Sequence, residues 1–207
     1  MTLSKFYMNK NRLEALVDGI FAIVMTLLVM TVMVPQRQAV LTDIGFEAMM
    51  CSRFHDIFNY ALSFILLAIF WIQHHEQSHF IRQTDRTHIW INIFTLLFIA
   101  LFPFSTSLVN EFPERDAAEL LFGVNMLIVG ILFYVNWAYA TKDRHLVDGG
   151  ITDAQIAVGR NKCRFFLAIA VTAIILSQAH PSISADVFWL IPAMAVFESF
   201  FRNRAKS

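Results

Sequence analysis

The 207-residue sequence predicts an all-α polytopic membrane protein of six spanning helices, and three observations carry that prediction. Only 15% of the residues are charged and 57% are hydrophobic, whereas a soluble domain carries about 25% charged residues. Six long apolar runs recur, at 15–34, 57–73, 88–109, 120–141, 165–179 and 187–201, and a helix needs about 20 apolar residues to cross a bilayer. Alternating these six runs places 13 of the 16 basic residues on one side of the membrane. An excess of Lys and Arg marks the cytoplasmic side, so an even number of spans with both termini cytoplasmic is expected. No repeat, low-complexity tract or long linker divides residues 1–207, which are expected to form one membrane domain.

The first run begins in "RLEALVDGIFAIVMTLLV" and carries no charge from Gly19 to Val34. It exceeds the 7–15 residues of a cleavable signal's apolar region and is expected to stay in the membrane. Asp18 stands at its mouth, and an intramembrane carboxylate costs about 2.5–3.5 kcal/mol at a helix centre, less near an end. That cost calls for partners. On a 3.6-residue period Ile23, Leu27, Met30 and Val34 form one stripe, and Gly19, Ala22 and Thr26 another. The small stripe suits close packing against a neighbouring helix. For the large apolar stripe two readings stay open: contact with lipid or core, or a constriction lining a pore that closes by dewetting.

The second run ends in "FWIQHHEQSH" and the third begins "HIWINIF". With cytoplasmic termini, Trp71, His74, His75, His88, Trp90 and Asn92 lie at the depth of Asp18. Arg12 and Asp18 are six residues apart, off a common helical face, so each is expected to find partners among these side chains in a polar cluster knitting three helices together. Pro103 in "ALFPFSTSLVNEF" predicts a kink in the third span, with Ser105, Thr106 and Ser107 beside it to satisfy the freed carbonyl. The fourth run is uninterrupted. The fifth is short, and the sixth is free of charge only from Val187 to Phe197; the count of six rests on the charge asymmetry.

The histidine pair His74 and His75, with His79 nearby, is similar to the clustered imidazoles of membrane metalloenzymes. Such enzymes need several clusters, and the other histidines are single, so structural hydrogen bonding is the favoured role. A small histidine-rich integral-membrane metalloenzyme stays as the alternative. No metal site or cofactor is expected, and no serine–histidine–acid set or phosphate loop is present. Cys51 and Cys163 fall on opposite membrane faces, which excludes a disulfide between them. The basic residues are topology signals, not a nucleic-acid patch.

Arg12, Asp18, Gly19, Phe21, Ala22, Ile23, Thr26, Leu27 and Leu28, with "WIQHH" and the Pro-Phe of "LFPFSTSL", resemble the signature of the transmembrane protein 175 potassium-channel family. The match covers residues 12–110; Leu16-Val17 stands where the family has Phe-Ser. The resemblance implies a potassium-permeable cation channel of a prokaryotic cell membrane, not an enzyme. It implies a homotetramer in lipid, with the first helix of each subunit lining a central pore and no TVGYG filter loop. Ile23, Leu27 and Met30 would form the hydrophobic constriction, with hydroxyls from Thr26 or Thr31 beside it. Arg12, Asp18, His74, His75 and Trp90 would form a structural network behind the pore, and the permeant potassium ion would be the only small partner.

Overall fold

The computed structural model describes residues 10–32, 43–112, 115–179 and 190–191. Every named element among them is helical. Helix α1 (Lys10–Leu27) tightens into a 3-10 turn over Leu28–Thr31, after which Val32 is extended. The Thr31 hydroxyl donates to the Leu28 carbonyl at 2.8 Å inside that turn. The first span therefore leaves α geometry before Val34, which lies outside the described residues. Helix α2 (Asp43–Phe80) is 38 residues long and continues well past the apolar run at 57–73.

The third apolar run is two helices, α3 (Arg86–Ala100) and α4 (Phe102–Glu111), joined at Leu101. Pro103 lacks the N–H that would reach the Ile99 carbonyl, and its ring crowds that oxygen. The chain responds with a tighter Leu101 N–H to Phe98 carbonyl bond at 3.2 Å. Of the neighbouring hydroxyls, Ser105 donates to the Phe102 carbonyl at 3.0 Å, not to the freed Ile99 oxygen. Thr106 pairs across to Ser63 of α2 at 2.9 Å. Helix α5 (Asp116–Thr141) follows, then a short 3-10 turn (Lys142–Arg144) and α6 (Asp153–Ala179). Helix α6 starts from a capping box: Thr152 Oγ1 accepts the Gln155 N–H at 3.2 Å while Gln155 Oε1 accepts the Thr152 N–H at 2.8 Å.

Among the described residues, four segments are long and apolar enough to cross a membrane: Lys10–Thr31, Asp56–Phe80, Arg86–Glu111 and Asp116–Arg144. Helix α6 carries Arg160, Lys162 and Arg164 ahead of its apolar run at 165–179. The sixth run lies outside the described residues except for Leu190 and Ile191, as do Pro192 and the chain termini.

The core is aromatic. The Phe70 ring lies 5.4 Å from Phe133, 5.1 Å from Phe166 and 6.0 Å from Phe102, centroid to centroid, joining α2 to α4, α5 and α6. In lipid such packing stabilises through shape-matched dispersion contacts, since hydrocarbon tails are as apolar as the side chains. Helices α5 and α6 approach closely where α5 carries glycine: a Cβ on Gly123 would meet Ile174 at 2.9 Å, and one on Gly130 would meet Leu167 at 3.1 Å. By contrast, a Cβ on Gly19 of α1 would meet nothing within 4 Å. The small stripe of α1 does not pack within its own protomer.

At the end of the bundle where α2 gives way to α3 and α5 to α6, the two connections clasp each other. Ile81 and Val147 form an antiparallel bridge, and Arg82 pairs with Asp148 at 2.7 Å. Ile81, Trp137, Ala140, Leu146, Val147 and Ile151 form a second small core beneath the bridge. Asp85 caps α3 by accepting the His88 N–H at 2.9 Å, and its other oxygen accepts from the Tyr139 hydroxyl at 2.7 Å and faces His145 Nε2 at 3.2 Å. Burial works against the Asp85 carboxylate, but these partners outweigh it and hold its pKa below the ordinary value.

Candidate functional site

Helix α1 divides into two sides. Leu13, Val17, Phe21 and Val24, with Leu28 just beyond, are buried in the protomer. Ile23 is 59% exposed, Leu27 45% and Met30 74%, so one row of large apolar side chains faces outward from a single subunit. Gly19, Ala22 and Thr26 share that exposed side. Ringed with copies of itself, this face could line an apolar passage. The Thr26 hydroxyl donates to the Ile23 carbonyl at 2.7 Å, which leaves its oxygen lone pairs free to accept. Thr31 departs from the expectation: it is buried, because it stands seven residues after Val24 and three after Leu28, on the face of the helix that packs into the bundle. Its carbonyl accepts from Asn110 of α4 at 3.3 Å, and the Asn110 side-chain oxygen accepts from Asn59 of α2 at 3.0 Å. The end of α1 is thereby tied to two other helices.

The expected polar cluster is present as two separate groups. On the outside, Asp18 accepts from the Trp71 indole N–H at 2.8 Å, and Trp71 stacks on His75 with ring centroids 6.0 Å apart. All three side chains are exposed. Asp18 meets its cost with one charge-assisted bond at the rim of the span, where the penalty is small. Arg12 is exposed on α1, and Trp90 is exposed on α3 against Phe94 at 6.0 Å; neither joins these bonds among the described residues. Trp90 lies outside the cluster because its position on α3 is off the face carrying His88, Asn92 and Thr95.

On the inside, His74 is buried and bonds Asn92 Oδ1 at 2.9 Å and the Ser78 hydroxyl at 3.3 Å. Asn92 Nδ2 donates to the His88 carbonyl at 2.8 Å and to Asn136 Oδ1 at 3.0 Å. Asn136 Nδ2 donates in turn to Gln77 Oε1 at 3.1 Å. Gln73 and Gln77 then donate to the Cys163 sulfur at 3.1 and 3.5 Å. The chain of bonds joins α2, α3, α5 and α6, and Lys10 of α1 caps it by donating to the Ser78 carbonyl at 2.7 Å. Sequence reasoning missed Gln73, Gln77, Asn136 and Cys163. The available signal was spacing: Gln73 and Gln77, like His88 and Asn92, are four apart and share a helical face.

His74 is fully occupied by amide and hydroxyl partners, and among the described residues no group of three or more His, Cys, Asp and Glu is placed to hold a metal ion. Nothing here favours the metalloenzyme reading.

Comparison with known proteins bears on the same segments. Residues 12–103 match the model of the family described as endosomal/lysosomal potassium channel TMEM175. A potassium channel of Chamaesiphon minutus is 30% identical over 149 residues, covering 66% of this chain and 73% of the relative. A potassium channel of Streptomyces collinus is 27% identical over 146 residues, 68% and 69% of the two chains. The crystal structure of a lysosomal potassium-selective channel TMEM175 homolog from Chamaesiphon minutus superposes with a TM-score of 0.81 at 26% identity, over 92% of this chain and 97% of the other.

Proposed function

This chain belongs to the TMEM175 family of channels, and from that premise we infer that it is a potassium-permeable channel rather than an enzyme. The observation that carries the reading is the two-sided α1: one side is buried among Val17, Phe21 and Val24, and the other presents Ile23, Leu27 and Met30 outward as an unbroken apolar row. One such row cannot enclose an ion path. Four can, so the working unit is a homotetramer in lipid, each subunit a single six-helix domain over 1–207 with α1 at the axis and both termini cytoplasmic. The bacterial relatives favour a prokaryotic cell membrane.

In this arrangement the narrow ring excludes water when closed. Conduction requires widening at Ile23, Leu27 and Met30 enough to pass a partly dehydrated potassium ion. Selectivity comes from ring size and from the outward lone pairs of Thr26, not from a carboxylate ring, since Asp18 is spent on Trp71. The exposed Asp18–Trp71–His75 group orients α1, with Arg12 near it at the pore mouth. The His74 network holds the helices behind.

The test is Ile23→Asn. Four amides at the constriction wet the closed ring and replace ion hydration, so potassium leak into liposomes rises and preference over sodium falls. Ile131→Asn is the control: Ile131 is 44% exposed on α5, away from α1. Unchanged flux and preference in correctly assembled Ile23→Asn protein overturns the assignment of this face to the pore.

A further inference from the structure

A cavity lies away from α1, at the corner where α5 ends and α6 begins. It has a volume of about 540 Å³ and is lined by Tyr134, Ala138 and Ile156, with Lys142, Arg144 and Arg160 exposed at its rim. We propose that this corner holds the phosphate of a monoanionic phospholipid.

Depth supports the assignment. Lys142 follows the last residue of α5, one of the four candidate spans, and Arg160 precedes the apolar run of α6 by five residues, about 7.5 Å of helix. The headgroup layer on each side of a bilayer is about 5–8 Å thick. Lys142 therefore stands at the outer end of the span, and Arg160, next to the Gly159 that packs on Trp137, sits level with Tyr134 and Ala138 at the acyl boundary, with its long side chain within reach of the headgroups. Aromatic rings favour that boundary.

Charge supports it as well. The rim also carries Asp143 and Asp153, and Arg144 is committed to Asp153 at 2.8 Å. The three cations and two carboxylates of the lining leave one positive charge in excess. A single phosphodiester neutralises that excess, whereas a multiply phosphorylated headgroup overshoots it. Basic pockets between membrane helices on the cytoplasmic side are a general means of holding anionic headgroups. The backbone shapes the rim: Asp143 and Arg144 both have positive φ, 51° and 54°, which turns the chain sharply at the end of α5.

The test measures binding of short-chain phosphatidylglycerol, short-chain phosphatidylcholine and inorganic phosphate to the purified full chain in neutral detergent, by the concentration dependence of its melting temperature. Phosphatidylglycerol is expected to bind at least about tenfold more tightly than phosphatidylcholine, equivalent to one well-formed charged contact. Lys142→Gln/Arg160→Gln is expected to abolish that preference with the lipid-free melting temperature unchanged, since both side chains are exposed. Each single variant is measured as well, should the double fail to fold. Equal binding of the two lipids, an unchanged preference in a folded variant, or equally tight binding of inorganic phosphate each overturns the proposal; the last makes the corner a free-anion site. Potassium flux through the same variants reports on the pore separately.

Discussion

Replacing Asn136 with Leu tests the buried network at its centre. Asn136 is 4% exposed and makes two bonds, accepting from Asn92 and donating to Gln77. Counting bonds gives two losses, but the partners do not suffer equally. Asn92 Nδ2 still donates to the His88 carbonyl at 2.8 Å, whereas Gln77 Oε1 loses its bond from Asn136, the one it accepts among the described residues. One stranded acceptor costs about 1–3 kcal/mol, and interhelical bonds in a membrane average nearer 0.6 kcal/mol, so about 1–2 kcal/mol is expected. At about 2–4 °C per kcal/mol for a chain of this size, that is a fall of about 2–8 °C in the melting temperature of detergent-purified protein. Asn92→Leu costs more, because it strands both His74 and Asn136 Oδ1. The double variant costs less than the sum, because the shared Asn92–Asn136 bond is counted in each single. Potassium flux per assembled channel stays near the parent value in all three. An Asn136→Leu protein as stable as the parent, or an additive double variant, refutes the picture of one connected network.

Asp18→Ala removes the exposed bond to Trp71 and is expected to lower the fraction of assembled tetramer in mild detergent with ion preference unchanged; full assembly with altered preference would put Asp18 in the ion path. Asp85 has its pKa held down by the fold, so its stabilising contribution is complete above the ordinary aspartate pKa, near 3.9, and is lost as pH falls below it through the depressed folded value. An Asp85→Asn protein should therefore show a shallower loss of melting temperature in acid than the parent, and parallel curves would refute the effect. Gly159→Ala would place a methyl 2.6 Å from the Trp137 ring, displacing the ring from its bond to the Ile156 carbonyl. It should cost about 1–3 kcal/mol and alter tryptophan fluorescence; a silent substitution contradicts the close approach.

The first four spans were legible because long uncharged runs have few alternative fates. The break at Leu101 was foreshadowed by Pro103, but the use of the nearby hydroxyls was not: Thr106 reaches Ser63, 43 residues away, and no local pattern encodes that pairing. The Asp18–Trp71 bond involves residues singled out from the chain, yet its separation from the interior network was hidden, because sequence gives depth along a helix far better than rotation about it. Thr31 is different: its spacing of seven from Val24 and three from Leu28 already put it on the buried face, so its place in the interior was legible. Asn136 and Gln77 are single polar residues in apolar surroundings, and their roles emerge only when three helices meet.

That meeting sets a problem during synthesis. Gln77 precedes its partner Asn136 by 59 residues, and Gln73 precedes Cys163 by 90. At about 5–20 residues per second, the ribosome delivers Asn136 roughly 3–12 s after Gln77, so α2 waits in the nascent chain with amides that have no mate. Gln77 lies three residues from the end of α2, and Asn136 five from the end of α5, within about 8 Å of the helix ends. Unmated side chains so placed can stay hydrated at the bilayer rim until the later helices arrive. The position of the network along the helices thus suits an order of birth in which its members enter the membrane one at a time.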